Sequence, residues 1–125
     1  MKHMLYITIF TLLLSCSKNK AHINEPLLGK WQLSINAYSI GGPIQEHAAD
    51  PAKPVIVEFK KDGTYTNSAD SKYTQYSADG NRIKLTGPGA TSVTLQFTIT
   101  GTTLMLTPIE PMCIEGCYTK YNAVK

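Results

Sequence analysis

Between Ser92 and Thr100 the chain alternates without a break. Val93, Leu95, Phe97 and Ile99 are apolar, and Thr94, Gln96, Thr98 and Thr100 between or beside them are polar. Successive side chains of a strand point to opposite faces, so this spacing gives a strand with one buried and one solvated face. The period recurs along the chain. Trp31, Leu33 and Ile35 alternate with Gln32, Ser34 and Asn36, and Val55, Val57 and Phe59 with Ile56, Glu58 and Lys60. Asp62-Gly63 reads as a tight hairpin turn into Thr64-Tyr65-Thr66. Tyr73 to Ser77 is a weaker strand, and Asp79-Gly80-Asn81 turns into Ile83 and Leu85. After Gly87-Pro88-Gly89 and the long alternating strand, Gly101 turns into residues 103–107, with Leu104 and Leu106 inward. A last strand covers Tyr118 to Val124.

About eight short strands joined mostly by tight turns make an all-β, antiparallel up-and-down meander. An open sheet of this kind has two sticky edges, and closing it into a barrel removes both. There is no room for the crossover helices that parallel strands require. A barrel of roughly eight strands has an interior that side chains fill or that holds one small ligand. One connection, residues 40–54, is long and separates the first two strands, with a helical turn expected near Gln45–Ala49. Loops of that length are functional lids or excursions.

Ahead of the strands, Met1-Lys2-His3 is positive and Met4–Leu14 is an apolar run broken only by Thr8 and Thr11. That run is too short for a membrane-crossing helix, which needs about 20 residues, but suits the core of an export signal. It ends in Leu13-Leu14-Ser15-Cys16, which resembles a lipobox. The resemblance implies a signal peptide over 1–15 and a lipid on Cys16: diacylglycerol on the thiol and an acyl chain such as palmitate on the new amine. Two or more chains anchor firmly where one does so only marginally. An uncleaved anchor with an incidental Cys is the competing reading. Residues 16–26 then form a polar tether, and 27–125 the barrel domain. The expected location is the cell envelope, on a membrane and facing the periplasm.

The mature chain carries 11 basic and 9 acidic residues once Lys2 is removed, and the basic ones are scattered, so nucleic acid is not an expected partner. Cys113 and Cys117 are the cysteines left after Cys16. In an oxidising compartment their three-residue spacing favours a disulfide closing a tight loop. A zinc site would need further ligands, and the mature chain offers only His22 and His47.

Gly29-Lys30-Trp31 at the start of the first strand resembles the Gly-x-Trp signature of lipocalins. The resemblance implies an eight-stranded barrel whose end is closed by Trp31, with Lys120, or else Lys125, packing its cation across the indole. Leu27 to Trp31, the Phe59–Thr64 hairpin and a Tyr-rich last strand together are similar to small lipocalin-like lipoproteins of Bacteroidetes.

No catalytic constellation emerges, and neither an enzyme activity nor a cofactor or metal is expected. Glu46, His47 and Asp50 are close in sequence but read as a solvated loop. The aromatic residues matter more. Tyr65, Tyr73, Phe97 and Tyr118 are candidate ligand-lining residues, since a tyrosine offers an apolar ring and a polar tip. Two functions follow: a barrel binding a small apolar or amphipathic molecule beside the membrane, or a filled barrel that contacts another envelope protein.

Overall fold

The computed structural model describes residues 25–113 and 116–124; residues 1–15, expected to be an export signal, Cys16 and Lys125 lie outside them. A 3-10 turn, Glu25–Leu27, leads into nine strands: β1 (Gly29–Tyr38), β2 (Gln45–Ala48), β3 (Ile56–Phe59), β4 (Tyr65–Asn67), β5 (Gln75–Asp79), β6 (Arg82–Thr86), β7 (Ser92–Thr100), β8 (Thr103–Glu110) and β9 (Cys117–Ala123), with a second 3-10 turn, Pro88–Ala90, between β6 and β7. All pairings are antiparallel, in the order β4-β3-β1-β9-β8-β7-β6-β5, with β2 also on β1. Across the remaining seam Thr64 bridges Gln75, while Tyr65 N donates to Thr74 O (3.0 Å) and Tyr76 N to Gly63 O (2.9 Å). The meander is therefore a nearly closed barrel.

The long connection holds a strand where a helical turn was expected. Strand β2 pairs with the far half of β1 (Tyr38 opposite Gln45) and β3 with its near half (Gly29 opposite Phe59), so the two occupy one wall position. Residues 50–54, with Pro51 and Pro54, loop out between Ala49 N→Ser34 O and Val55 O←Leu33 N. Proline cannot donate to a ladder, so the break falls where the sequence forbids pairing. The eight wall positions read from the sequence survive, with one of them shared.

A second irregularity sets the chemistry of the interior. Against β9, Leu33 faces Tyr121 but Ile35 faces Lys120, so Ser34 is an extra residue in β1. A β-bulge of this kind shifts side-chain alternation by one. Trp31 and Leu33 point inward before it; beyond it Asn36 and Tyr38 do, opposite Thr119 and Cys117. Ile35, expected inward, faces out. The Ser34 hydroxyl donates to Lys120 O at 3.1 Å and ties the bulge to β9.

The end of the barrel where the chain enters is solid. Leu27, Val57, Phe59, Ile83 and Leu104 are essentially inaccessible, and Trp31 is buried among the same cluster. Phe59 meets Tyr65 at 5.2 Å between ring centres and Tyr76 edge-on at 5.1 Å, within the range favoured by aromatic pairs. Buried polar tips are paired: Tyr76 Oη donates to Lys60 O (2.7 Å), and Trp31 Nε1 to Leu27 O (2.8 Å). The Asp62-Gly63 turn forms as expected, with Gly63 at φ 90° and the Asp62 carboxylate accepting from Thr64 N.

Trp31 thus closes the entry end, but Lys120 is not its partner. Trp31 stands between Val57 and Ala123, whereas Lys120 is opposite Ile35 on the outer face. Its ammonium binds Glu46 at 3.0 Å and lies 5.5 Å from the Tyr118 ring. Trp31→Ala should cost about 3–5 kcal/mol, a large part of the roughly 5–15 kcal/mol of a domain, as measured by denaturant unfolding. In the folded wild type the emission of this single Trp should be that of a buried indole and resist iodide, and Lys120→Ala should leave it unchanged.

Candidate functional site

Tyr38 is seven residues beyond Trp31 on β1, roughly 20 Å along the strand at about 3.3 Å per residue. Here the barrel is not filled. A cleft of about 270 Å³ opens among Asn36, Ala37, Tyr38, Tyr65, Leu95, Leu106, Pro108, Cys117, Tyr118, Thr119 and Tyr121. Apolar walls come from Leu95 and Leu106, on strands whose alternation points them inward beside Ile83 and Phe97. Polar groups come from β1 and β9: the bulge turns Asn36 inward opposite Thr119. No charged residue lines the cleft among the described residues.

Two phenols form its deep side. Tyr65 is 5% exposed and Tyr121 8%. The Tyr65 hydroxyl receives a long hydrogen bond from Asn67 Nδ2 (3.5 Å). Burial pushes the Tyr65 phenol well above its usual range, and the nearby Tyr121 adds to the shift. Burial raises Tyr121 too, and the Thr119 hydroxyl, favouring the phenolate, pulls it partly back. Loss of hydration penalises the charged form, so both phenols stay protonated and act as O–H donors.

The rim is built by two loops that touch. The β1–β2 hairpin brings Ile44 against Gly116, where a side-chain Cβ would come within 2.9 Å of Ile44 Cδ1. Gly116 belongs to the loop closed by the Cys113–Cys117 disulfide, the pairing expected from the spacing. Tyr38 stacks on His47 of the neighbouring strand β2, with ring centres 4.4 Å apart and planes at 19°. On the outer face the Tyr118 hydroxyl donates to Glu46 Oε2 (2.5 Å), which also binds Lys120. Tyr118, Ala37 and Glu46 lie abreast on β9, β1 and β2, so this clasp crosses Ala37 and leaves it 2% exposed. The Tyr118 hydroxyl first and Lys120 second hold the Glu46 carboxyl below its ordinary 4.5.

Of the four aromatic residues expected to line a ligand site, Tyr65 does so from deep inside. Tyr118 borders the cleft, but its hydroxyl is turned outward to Glu46. Phe97 is core, and Tyr73 packs on the core from the β4–β5 connection with Lys72 Nζ 5.5 Å from its ring. Neither borders the cleft. Asn36, Leu106, Pro108, Thr119 and Tyr121 are among the other lining residues, and no motif marked them as such. Glu46, His47 and Asp50 diverge: Glu46 joins the clasp, His47 stacks on Tyr38, and Asp50 accepts from Ala52 N (2.9 Å) in its loop.

The chain is thus a small antiparallel barrel, plugged at one end and open at a tyrosine-bearing mouth. No protein family, no curated protein and no solved structure matches it.

Because the folded Glu46 pKa is depressed, the clasp contributes fully above pH 4.5 and is lost as pH falls through the lower folded value. Protection of the β2 amides against hydrogen exchange, corrected for intrinsic rates, should therefore be flat at neutral pH and decline below pH 4.5. Glu46→Gln should lower it at neutral pH and abolish the decline. In denatured, unreduced protein iodoacetamide should label neither Cys113 nor Cys117. Cys113→Ser should cost about 2 kcal/mol or less, since the closed loop is short, and leave the barrel's circular dichroism intact.

Proposed function

We propose that this chain is a lipid-anchored protein of the cell envelope whose barrel holds one small, largely apolar molecule in its mouth. The observation that carries the reading is the cleft itself. The barrel is packed solid at the entry end, yet keeps about 270 Å³ open where Tyr, Asn and Thr tips converge on Leu walls. Concave, mostly apolar sites with a few directed polar groups are where small ligands bind. The Gly29-Lys30-Trp31 opening and the buried Trp31 agree with the lipocalin resemblance, whose members carry ligands in such barrels.

Anchoring rests on Leu13-Leu14-Ser15-Cys16 after a short apolar run. With the lipid on Cys16, the tether reaches the barrel at its plugged end, opposite the mouth. A second reading, contact with another envelope protein, draws on the exposed Ile40, Ile44, Met112 and Tyr38 around the mouth.

Cys16→Ala should leave the protein without lipid, uncut or released to the soluble fraction; a lipid-free mature terminus elsewhere, found by mass spectrometry, would refute the anchor. For the cleft, naphthalene followed by its own fluorescence should bind one to one. Asn36→Trp, which fills the mouth, should abolish this while circular dichroism stays native. Equal binding by both proteins would leave the partner-protein reading the better one.

A further inference from the structure

The polar groups of the cleft also define what its occupant must be. A 150 Å³ apolar cavity accepts one benzene ring, so about 270 Å³ suits a body of roughly two fused rings. This step rests on the cleft reading above. The walls Leu95, Leu106 and Pro108 give such a body apolar contact.

Tyr65 and Tyr121, both more than nine-tenths buried, line the deep side. Tyr65 accepts a long bond from Asn67, and Tyr121 shares a hydroxyl contact with Thr119. The Asn67 contact uses a lone pair of the Tyr65 oxygen and leaves its O–H to donate. A pair of hydroxyls such as Thr119 and Tyr121 can turn over, so that Thr119 donates and the Tyr121 O–H is released to a ligand. A buried O–H without an acceptor costs free energy that a ligand acceptor would recover.

The sign of the ligand's charge follows from the same inventory. No charged residue lines the cleft among the described residues; Lys120 is on the outer face with Glu46, and Lys72 is over Tyr73. A carboxylate placed between two phenols would be desolvated with no counter-charge, which is costly. An ammonium would find donors where it needs acceptors. A carbonyl or ether oxygen meets both demands, because it accepts two hydrogen bonds and carries no charge.

We infer that the mouth cleft selects a neutral, two-ring-sized apolar molecule bearing one carbonyl- or ether-type oxygen, which accepts the O–H groups of Tyr65 and Tyr121.

Three probes of one shape test this on the full chain in nanodiscs, by equilibrium dialysis with uptake by empty discs subtracted: naphthalene, 2-acetylnaphthalene and 2-naphthoate. The ketone should bind at least about fivefold tighter than naphthalene, the effect of one or two net hydrogen bonds, and about tenfold tighter than the carboxylate. Tyr65→Phe with Tyr121→Phe should abolish the ketone's advantage over naphthalene when both are measured on the same variant. The single variants provide the same comparison at half the effect if the double one does not fold. Naphthoate binding as well as the ketone, or a ketone no better than naphthalene, would overturn the inference while the cleft reading stands. If no probe distinguishes wild type from Asn36→Trp, the cleft reading and the inference fall together.

Discussion

The first and last strands are hydrogen-bonded to each other from Trp31–Ala123 to Tyr38–Cys117, and everything else in the molecule leans on that seam. It joins the two ends of the meander, which is the most distant pairing the chain can make and the one with the largest loop-closure cost. The adjoining structure is arranged to hold it. Trp31 and Leu27 plug one end beneath it, and the bulge hydroxyl of Ser34 reaches across it to Lys120 O. Over its far end the Tyr118–Glu46–Lys120 clasp ties β9 to β2 across β1. Exposed ion pairs are worth little singly. Here the pair is joined to a hydroxyl and lies over a covered alanine, so its role is to fix the position of a short strand.

That positioning matters because β2 has little else to hold it. Its residues Gln45–Ala48 are all exposed, and among the described residues it pairs with β1 alone. The hairpin it belongs to forms one lip of the mouth, and Ile44 rests on the disulfide-closed loop that forms another. The rim is therefore a set of loops held by local cross-links on a rigid floor, a division common in proteins that bind through loops on a stable scaffold.

The legible parts of the fold were those where periodicity and burial coincide. Val93 to Ile99 announced β7 because each apolar residue does face the core or its margin. Leu104 and Leu106 did the same for β8. Strand β2 was illegible because four exposed residues carry no alternation; only the register of β1 creates it. Ile35 was misplaced by the bulge, whereas Lys120 faces out because it alternates with the inward Tyr121 on β9. A bulge at Ser34 has no signature in residue type, and it decides which face every later residue of β1 takes. The cleft was half legible for a related reason. Tyrosine announces a polar tip on an apolar body, which singles out Tyr65. Which other residues gather around it depends on the tilt and stagger of strands far apart in sequence, so Asn36, Thr119 and Leu106 could not be named in advance.

The bulge also separates two duties that a continuous strand would confound. On one side of Ser34 the inward residues of β1 answer to packing density, where any change of volume is felt by the whole core. On the other side they border an open cleft and carry no such packing load. Mutational drift can therefore change the lining at Asn36 and Tyr38 without retuning the floor beneath Trp31. A protein engineer inherits the same licence: one surplus serine marks where the scaffold ends and the variable region begins.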